Sequence, residues 1–490
     1  MATASSGKTK VASSGKTKVL LVEINEITWR LIDPWIEQGK LPAFARLKRE
    51  GAWGAPMSVD LPPQLDPWIT WTTLYTGRTQ QEHNVYFLQQ PPESIHAKRL
   101  WEICDSHGLS VGVYGSVCSW PPQKVKGYYV PDTFSPDSAT YPDELGAIQD
   151  LNLTYTRSIR LPSDQDGLMF KLKLGAKLIK LGLQPSTMSM IAGQLLAERV
   201  APKKRWMRVA LQPFVNFDFF SGLYRRYQPD FATFHSNHVA HYMHTYWKAM
   251  EPHLFDQPTS KEEIETYGGA IEFGYRKADD LLAKILNLIG PDTVLAVASS
   301  MGQQPYLSDL KDGKAINQLR SLEQLMEVLG LKGQVRAIFA MSGQFNIYAD
   351  SEAIKNLAEK RLRDAYIDTP ERPMFAVKSV DQALTATLKR YDEIAPSSRC
   401  FFPVDGQTTP HPYSQLVHNT GMVKSGYHHP EGILMLYGNG IRPGVHIAGS
   451  NNLDIAPTLL SLLGLPVPAE MKGRVLQEAL TYPRFAMSAS

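Results

Sequence analysis

The sequence predicts an α/β fold on a largely parallel sheet. Three observations carry that expectation. Short apolar runs with strand character alternate with segments of helical period; polar residues gather just behind those runs; and from about 150 to 230 the alternation yields to a basic, helix-rich stretch that reads as a helical insertion.

Taken in order, residues 19–22 (Val-Leu-Leu-Val) form the first strand, with Glu23, Asn25 and Glu26 at its C-terminal end. In an open α/β sheet that edge is where ligands bind. Helical period follows over 28–38, ended by Gly39, and again over 43–50, ended by Gly51. A proline-stiffened loop, 61–67, leads to Thr70, Thr72 and Thr73 in a helix closed by Gly77, whose N-terminus is a ready anion site. Residues 100–108 read as helix and 110–114 as strand; 267–289 as one helix and 293–298 as strand. A smaller α+β section covers about 310–400, and a strand at 433–437 with a helix at 453–463 completes the chain. The domain reading is a polar tail over 1–17 and one α/β domain over 18–490.

Bulk properties narrow the function. The 490 residues are 43% hydrophobic and 20% charged, an ordinary globular composition, and the net charge of +3 gives no pull toward nucleic acid. Cys104, Cys118 and Cys400 are odd in number and form no C-x-x-C unit, which argues against disulfide frameworks and zinc–cysteine sites. With no 18-residue apolar run and no signal-type apolar segment, the expectation is a cytoplasmic enzyme without a membrane span. The tail repeats Ser-Ser-Gly-Lys-Thr-Lys-Val at 5–11 and 13–19. A phosphate loop would need glycine where Ala2 and Lys10 stand, so a frayed tail is the reading.

The densest chemistry lies at 234–244, where His235, Asn237, His238, His241 and His244 fall within eleven residues. On a helix starting at Asn237, residues 237, 241 and 244 share a face. A metal site, an acid/base relay and a hydrogen-bonded polar seam all use such residues. For His235 and His238, beside Tyr242, Tyr246 and Trp247, the seam is the preferred reading.

The motifs, in order, resemble the type I phosphodiesterase/nucleotide pyrophosphatase group of the alkaline phosphatase superfamily. They are Glu37-Gln38-Gly39-Lys40-Leu41-Pro42 with Arg46-Leu47 and Gly51; Trp71-Thr72-Thr73-Leu74-Tyr75-Thr76-Gly77 with His83; Gly426-Tyr427-His428 with Glu431-Gly432; and Leu453-Asp454-Ile455-Ala456-Pro457-Thr458 with Leu463-Gly464-Leu465-Pro466. The resemblance implies an alkaline phosphatase-like fold and phosphoester chemistry at two zinc ions with a hydroxyl nucleophile. Residue by residue the implied ligands are altered. Asn25 stands for the first-strand aspartate, and Asn237 with His241 for the D-x-x-x-H pair. Ser299-Ser300-Met301-Gly302 replaces S-D-H-G, and His428 is the late histidine. The nucleophile position falls at Asp66-Pro67, with Thr70 the nearest hydroxyl.

Neutral amides, serine and thioether are poor substitutes for carboxylate and imidazole around two zinc ions, so a dizinc centre is not expected. One divalent metal, zinc or manganese, on His241 and His428 remains open, as does metal-free acid/base work by the same two histidines. Asp66 is either nucleophile or base, or simply the opener of an Asp-Pro turn. Asn25, Glu26, Asn237, His244 and Gln303 are the expected substrate contacts. The expected ligand is a small anionic phosphoester or nucleotide-sugar-like molecule, hydrolysed or transferred; the alternative is a non-catalytic relative that binds it.

Overall fold

The computed structural model describes residues 16–158, 176, 178–307, 314–341, 343–381, 383–391 and 394–481. The tail over 1–15, and 171–175 and 177 of the basic stretch, lie outside the described residues.

An eight-stranded sheet forms the centre. Its strands include β1 (Lys18–Ile24), β2 (Ala52–Gly54), β3 (Val111–Tyr114), β4 (Gly127–Val130), β5 (Phe231–Ser236) and β6 (Thr293–Ser299). With the Ile433–Tyr437 and Val445–Ile447 strands the spatial order is Val445–Ile447, β2, Ile433–Tyr437, β6, β1, β5, β3, β4. All neighbours run parallel except Ile433–Tyr437, which is antiparallel to both β2 and β6. The parallel α/β expectation therefore holds.

Alternation along the strands explains why they are apolar throughout. On β1, Leu20, Val22 and Ile24 enter one core while Val19 and Leu21 enter the other. A parallel strand buried on both faces has no position for a polar residue until its end. Helices cover both faces. Phe217, Phe220 and Tyr224 of the Gln212–Tyr227 helix join the core that holds Leu20 and Val22, so this end of the 150–230 segment is part of the sheet's packing. A third core gathers residues between Leu319 and Val417 around two four-stranded antiparallel sheets.

Local signals mostly fall where the residues put them. Thr28 caps the Trp29–Glu37 helix, Pro42 opens the Pro42–Glu50 helix, and Gly77 closes Pro67–Thr76 with a left-handed φ of 61°. Two boundaries differ from expectation. The 267–289 helix starts three residues later than expected, at Ala270–Leu288, and is set off by Gly268-Gly269 from a separate Lys261–Tyr267 helix that the sequence reading did not include. A Cβ on Gly268 would lie 2.6 Å from the carbonyl oxygen of Ile264, so the chain breaks where only glycine fits. The final helix likewise begins with a separate 3-10 turn, Asn452–Asp454, before Ile455–Leu462.

Candidate active site

β6, β1 and β5 lie side by side, and their C-terminal ends deliver Ser300, Asn25-Glu26 and Asn237 to one edge. Behind β6, a short strand β7 (Gly302–Pro305) pairs antiparallel with the Gly426–His429 strand and sets Gln303 opposite His428. Directly opposed residues share a face, so both side chains are delivered together. The His238–Met250 helix starts after Asn237 and brings His244 to the same place.

Glu26 is the centre of this arrangement. It is 2% exposed and sits at a φ of 64°, a conformation costly for a residue with a Cβ. His244 Nε2 lies 3.0 Å from its Oε2, and His428 Nε2 lies 3.8 Å from its Oε1. Asn25 Nδ2 donates to Glu26 Oε1 at 2.9 Å, and Gln303 Nε2 donates to Oε2. Burial opposes the charge on this carboxylate, but the two imidazoles and the amide of Gln303 outweigh it and hold its pKa down to about 2.

Both imidazoles are oriented from behind. His244 Nδ1 donates to the carbonyl oxygen of Gly426 at 2.9 Å, and His428 Nδ1 donates to that of Leu65 at 2.7 Å. A neutral imidazole with its proton on Nδ1 has its lone pair on Nε2. Burial pushes His428 down to about 4, which keeps it neutral at pH 7. With each Nδ1 bonded to a carbonyl, both Nε2 atoms face a buried carboxylate, and a cation, either a second proton or a metal ion, satisfies this set. Among the described residues, Glu26, His244 and His428 are the group of three whose ligand atoms lie within 4.8 Å of one another.

His241 does not belong to this group. It sits one helical turn before His244, and burial together with His244 lowers its pKa to about 4. Asn237 accepts from Asn25 Nδ2 at 2.8 Å. Asn25 Oδ1 takes the indole N–H of Trp71 at 2.8 Å, so the amide at the first-strand position is fully engaged within the protein. Thr70 Oγ1 and Ser300 Oγ, both buried, bond each other at 2.8 Å. Met301 is fully buried in the core. Among the described residues, Glu26, His244 and His428 are the group close enough to hold a cation.

Asp66, at the N-cap of the Pro67–Thr76 helix, lies 3.7 Å from His428 Nδ1. It lines a cleft of about 380 Å³ with Leu65, Gln304, Tyr306, Tyr427 and His428, within the range of small-ligand pockets. Sequence reasoning did not find the aromatic wall; Tyr427 stacks on His428 with centroids 4.7 Å apart, and only its place beside that histidine could have pointed to it.

The other histidines have different duties. His238 donates from Nε2 to the carbonyl of Gly274 at 3.1 Å and accepts at Nδ1 from Ser236 at 2.8 Å. His235 pairs with Glu23, its register partner across β1 and β5, at 3.0 Å; Tyr75 and Ser116 also donate to that carboxylate.

The family model for type I phosphodiesterase / nucleotide pyrophosphatase matches residues 19–396. The chain belongs to this family. Its mostly parallel sheet flanked by helices is the alkaline phosphatase-like architecture that membership carries. Solved structures similar to the chain include a phosphonoacetate hydrolase from Sinorhizobium meliloti 1021 in complex with phosphonoacetate. It is 13% identical with a TM-score of 0.38, covering 92% of this chain and 95% of that one. Another is murine ectonucleotide pyrophosphatase / phosphodiesterase 5, 13% identical with a TM-score of 0.39, covering 91% and 95%. No curated protein matches the chain. Among the described residues, no helix is long and apolar enough to cross a membrane.

Proposed function

We propose that the protein cleaves a small phosphoester or nucleotide-sugar-like anion at a site holding one divalent cation on Glu26, His244 and His428. The convergence of two backbone-anchored imidazoles on a buried carboxylate carries this reading. Carboxylate and imidazole together suit zinc or manganese. When bound, the cation would offset charge on the substrate's phosphoryl oxygens.

The chain's own residues supply the rest. Asp66, in the cleft beside His428, takes the proton of the attacking water as its oxygen bonds to phosphorus. The P–O bond to the leaving group breaks, and the departing oxygen is protonated from solvent. The N-terminus of the Pro67–Thr76 helix adds positive potential beside the phosphoryl group. Thr70 stays bonded to Ser300 and is no nucleophile in this scheme.

Isothermal titration with Zn²⁺ or Mn²⁺, paired with hydrolysis of bis(4-nitrophenyl) phosphate, tests the reading. Saturation at a single equivalent, with turnover lost in Asp66→Asn but metal binding kept, is the expected result. Two equivalents would restore a two-metal site and reject the assignment. Metal binding without turnover on any phosphoester would favour the non-catalytic reading, which the burial of the hydroxyl of Thr70 supports.

A further inference from the structure

The cleft beside Glu26 changes character between its inner end and its mouth. His428, 8% exposed, and the half-buried Asp66 bring polar chemistry to the inner end. Pro62, Pro63 and Pro305 also line the cleft, and a proline has no N–H to offer a ligand. Leu307 lines it as well and is 62% exposed; Leu61, next to Pro62 in the chain, is 54% exposed. Tyr306 and Tyr427 complete the wall, with ring centroids 5.2 Å apart, and Tyr427 stacks in turn on His428. Ring faces therefore continue from the exposed part of the cleft to the candidate cation site.

One strand pair builds both ends of this row. In the pairing of β7 with Gly426–His429, Gln303 faces His428 and Gln304 faces Tyr427. Just past β7 the N–H of Tyr306 donates to the carbonyl of Ser425 at 2.8 Å, which holds the second tyrosine beside the first. The cation site and the aromatic wall are therefore fixed to each other. Charge limits what the wall can take. Among the described residues that line the cleft Asp66 is the carboxylate, and there is no lysine or arginine. Arg390, close enough to interact electrostatically with both tyrosines, is not among the lining residues. A ligand with a second phosphate would bring negative charge to a wall that has no cation to meet it. An apolar group would instead cover leucine, proline and tyrosine surface now open to water.

We infer that the substrate of the Glu26 site is a phosphodiester of an apolar alcohol. Its ring or chain lies against Tyr306, Tyr427 and Leu307, and its single negative charge faces the cation site at His428. The inference rests on the proposed function and narrows it: of the anions which that reading admits, it selects an aryl or alkyl diester over a nucleotide sugar.

Calorimetric titration of the full chain, with zinc present, tests the inference. The probes are diphenyl phosphate, dibutyl phosphate and uridine diphosphate glucose. One or both diesters should bind about tenfold more tightly than the nucleotide sugar, and the tighter of the two tells a ring from a chain. Leu307→Ser and Tyr306→Ala should each weaken diester binding about threefold or more, with zinc affinity unchanged. Leu307 is exposed, so its variant should melt as the unaltered protein does. Diesters that fail to bind, a nucleotide sugar that binds as tightly as either, or diester binding that both variants retain in full overturns the inference. Because the readout is binding, it separates from turnover. Preference for a diester without hydrolysis of any phosphoester would reject the proposed function and keep this inference. Hydrolysis of bis(4-nitrophenyl) phosphate without that preference would do the reverse.

Discussion

His244 Nε2 stands 3.0 Å from Glu26 Oε2 while its other ring nitrogen is bonded to a backbone carbonyl. The backbone fixes the proton on Nδ1, so the contact with the carboxylate requires a shared cation, either a second proton or a metal. Glu26→Gln keeps the shape and removes the charge. Zinc affinity should fall by roughly tenfold or more, about 1.4 kcal/mol, in a direct titration. An unchanged affinity would show that the carboxylate is not a ligand.

Gly426 stands where three elements meet. A Cβ there would lie 2.3 Å from the carbonyl oxygen of Met243 and 2.7 Å from Gln303 Oε1. Gly426→Ala should push the Gly426–His429 strand away from the helix bearing His244 and separate His428 from Glu26. Loss of metal binding, with the melting transition still cooperative, is the expected outcome.

The hydroxyl pair of Thr70 and Ser300 separates a structural role from a chemical one. Thr70→Val leaves Ser300 Oγ buried without its partner, which should destabilise by about 1–3 kcal/mol in urea unfolding. Adding Ser300→Ala should recover most of that loss. Diester hydrolysis should persist in the double variant; its complete loss would point back to Thr70 as the nucleophile.

Acid lability should come from the buried histidines, of which His83 and His238 lie away from the cleft while His241 and His428 add to the effect. Burial drives His83 from 6.5 down to about 3 and His238 down to about 4. His83 is locked neutral, accepting at Nδ1 from the Val85 N–H and bonding Thr73 through Nε2. Below pH 6.5 the unfolded chain binds protons that the folded chain refuses. Stability is therefore full above 6.5 and falls with pH until the folded values are passed. The slope is about 1.4 kcal/mol per pH unit for each histidine. Urea midpoints measured from pH 7 to 4.5 should show this decline, and His83→Gln should reduce it.

The amino-acid sequence by itself determined the layered α/β fold. Leu20, Val22 and Ile24 alternate with Val19 and Leu21, and a run apolar at both parities must be covered on both faces. Its polar terminus, Asn25-Glu26, marked the sheet edge where ligands gather. Near-neighbour pattern could also place His241 and His244 on one helix, because a helix repeats every 3.6 residues. It could not say which of the two meets the late histidine. They differ by three residues, about 4.5 Å of rise along the axis. That choice rests on where the Gly426–His429 strand docks, through its pairing with β7 and the close approach of Gly426 to Met243. Only the tertiary structure, joining residues about 180 to 400 positions apart, decided that Glu26, His244 and His428 converge.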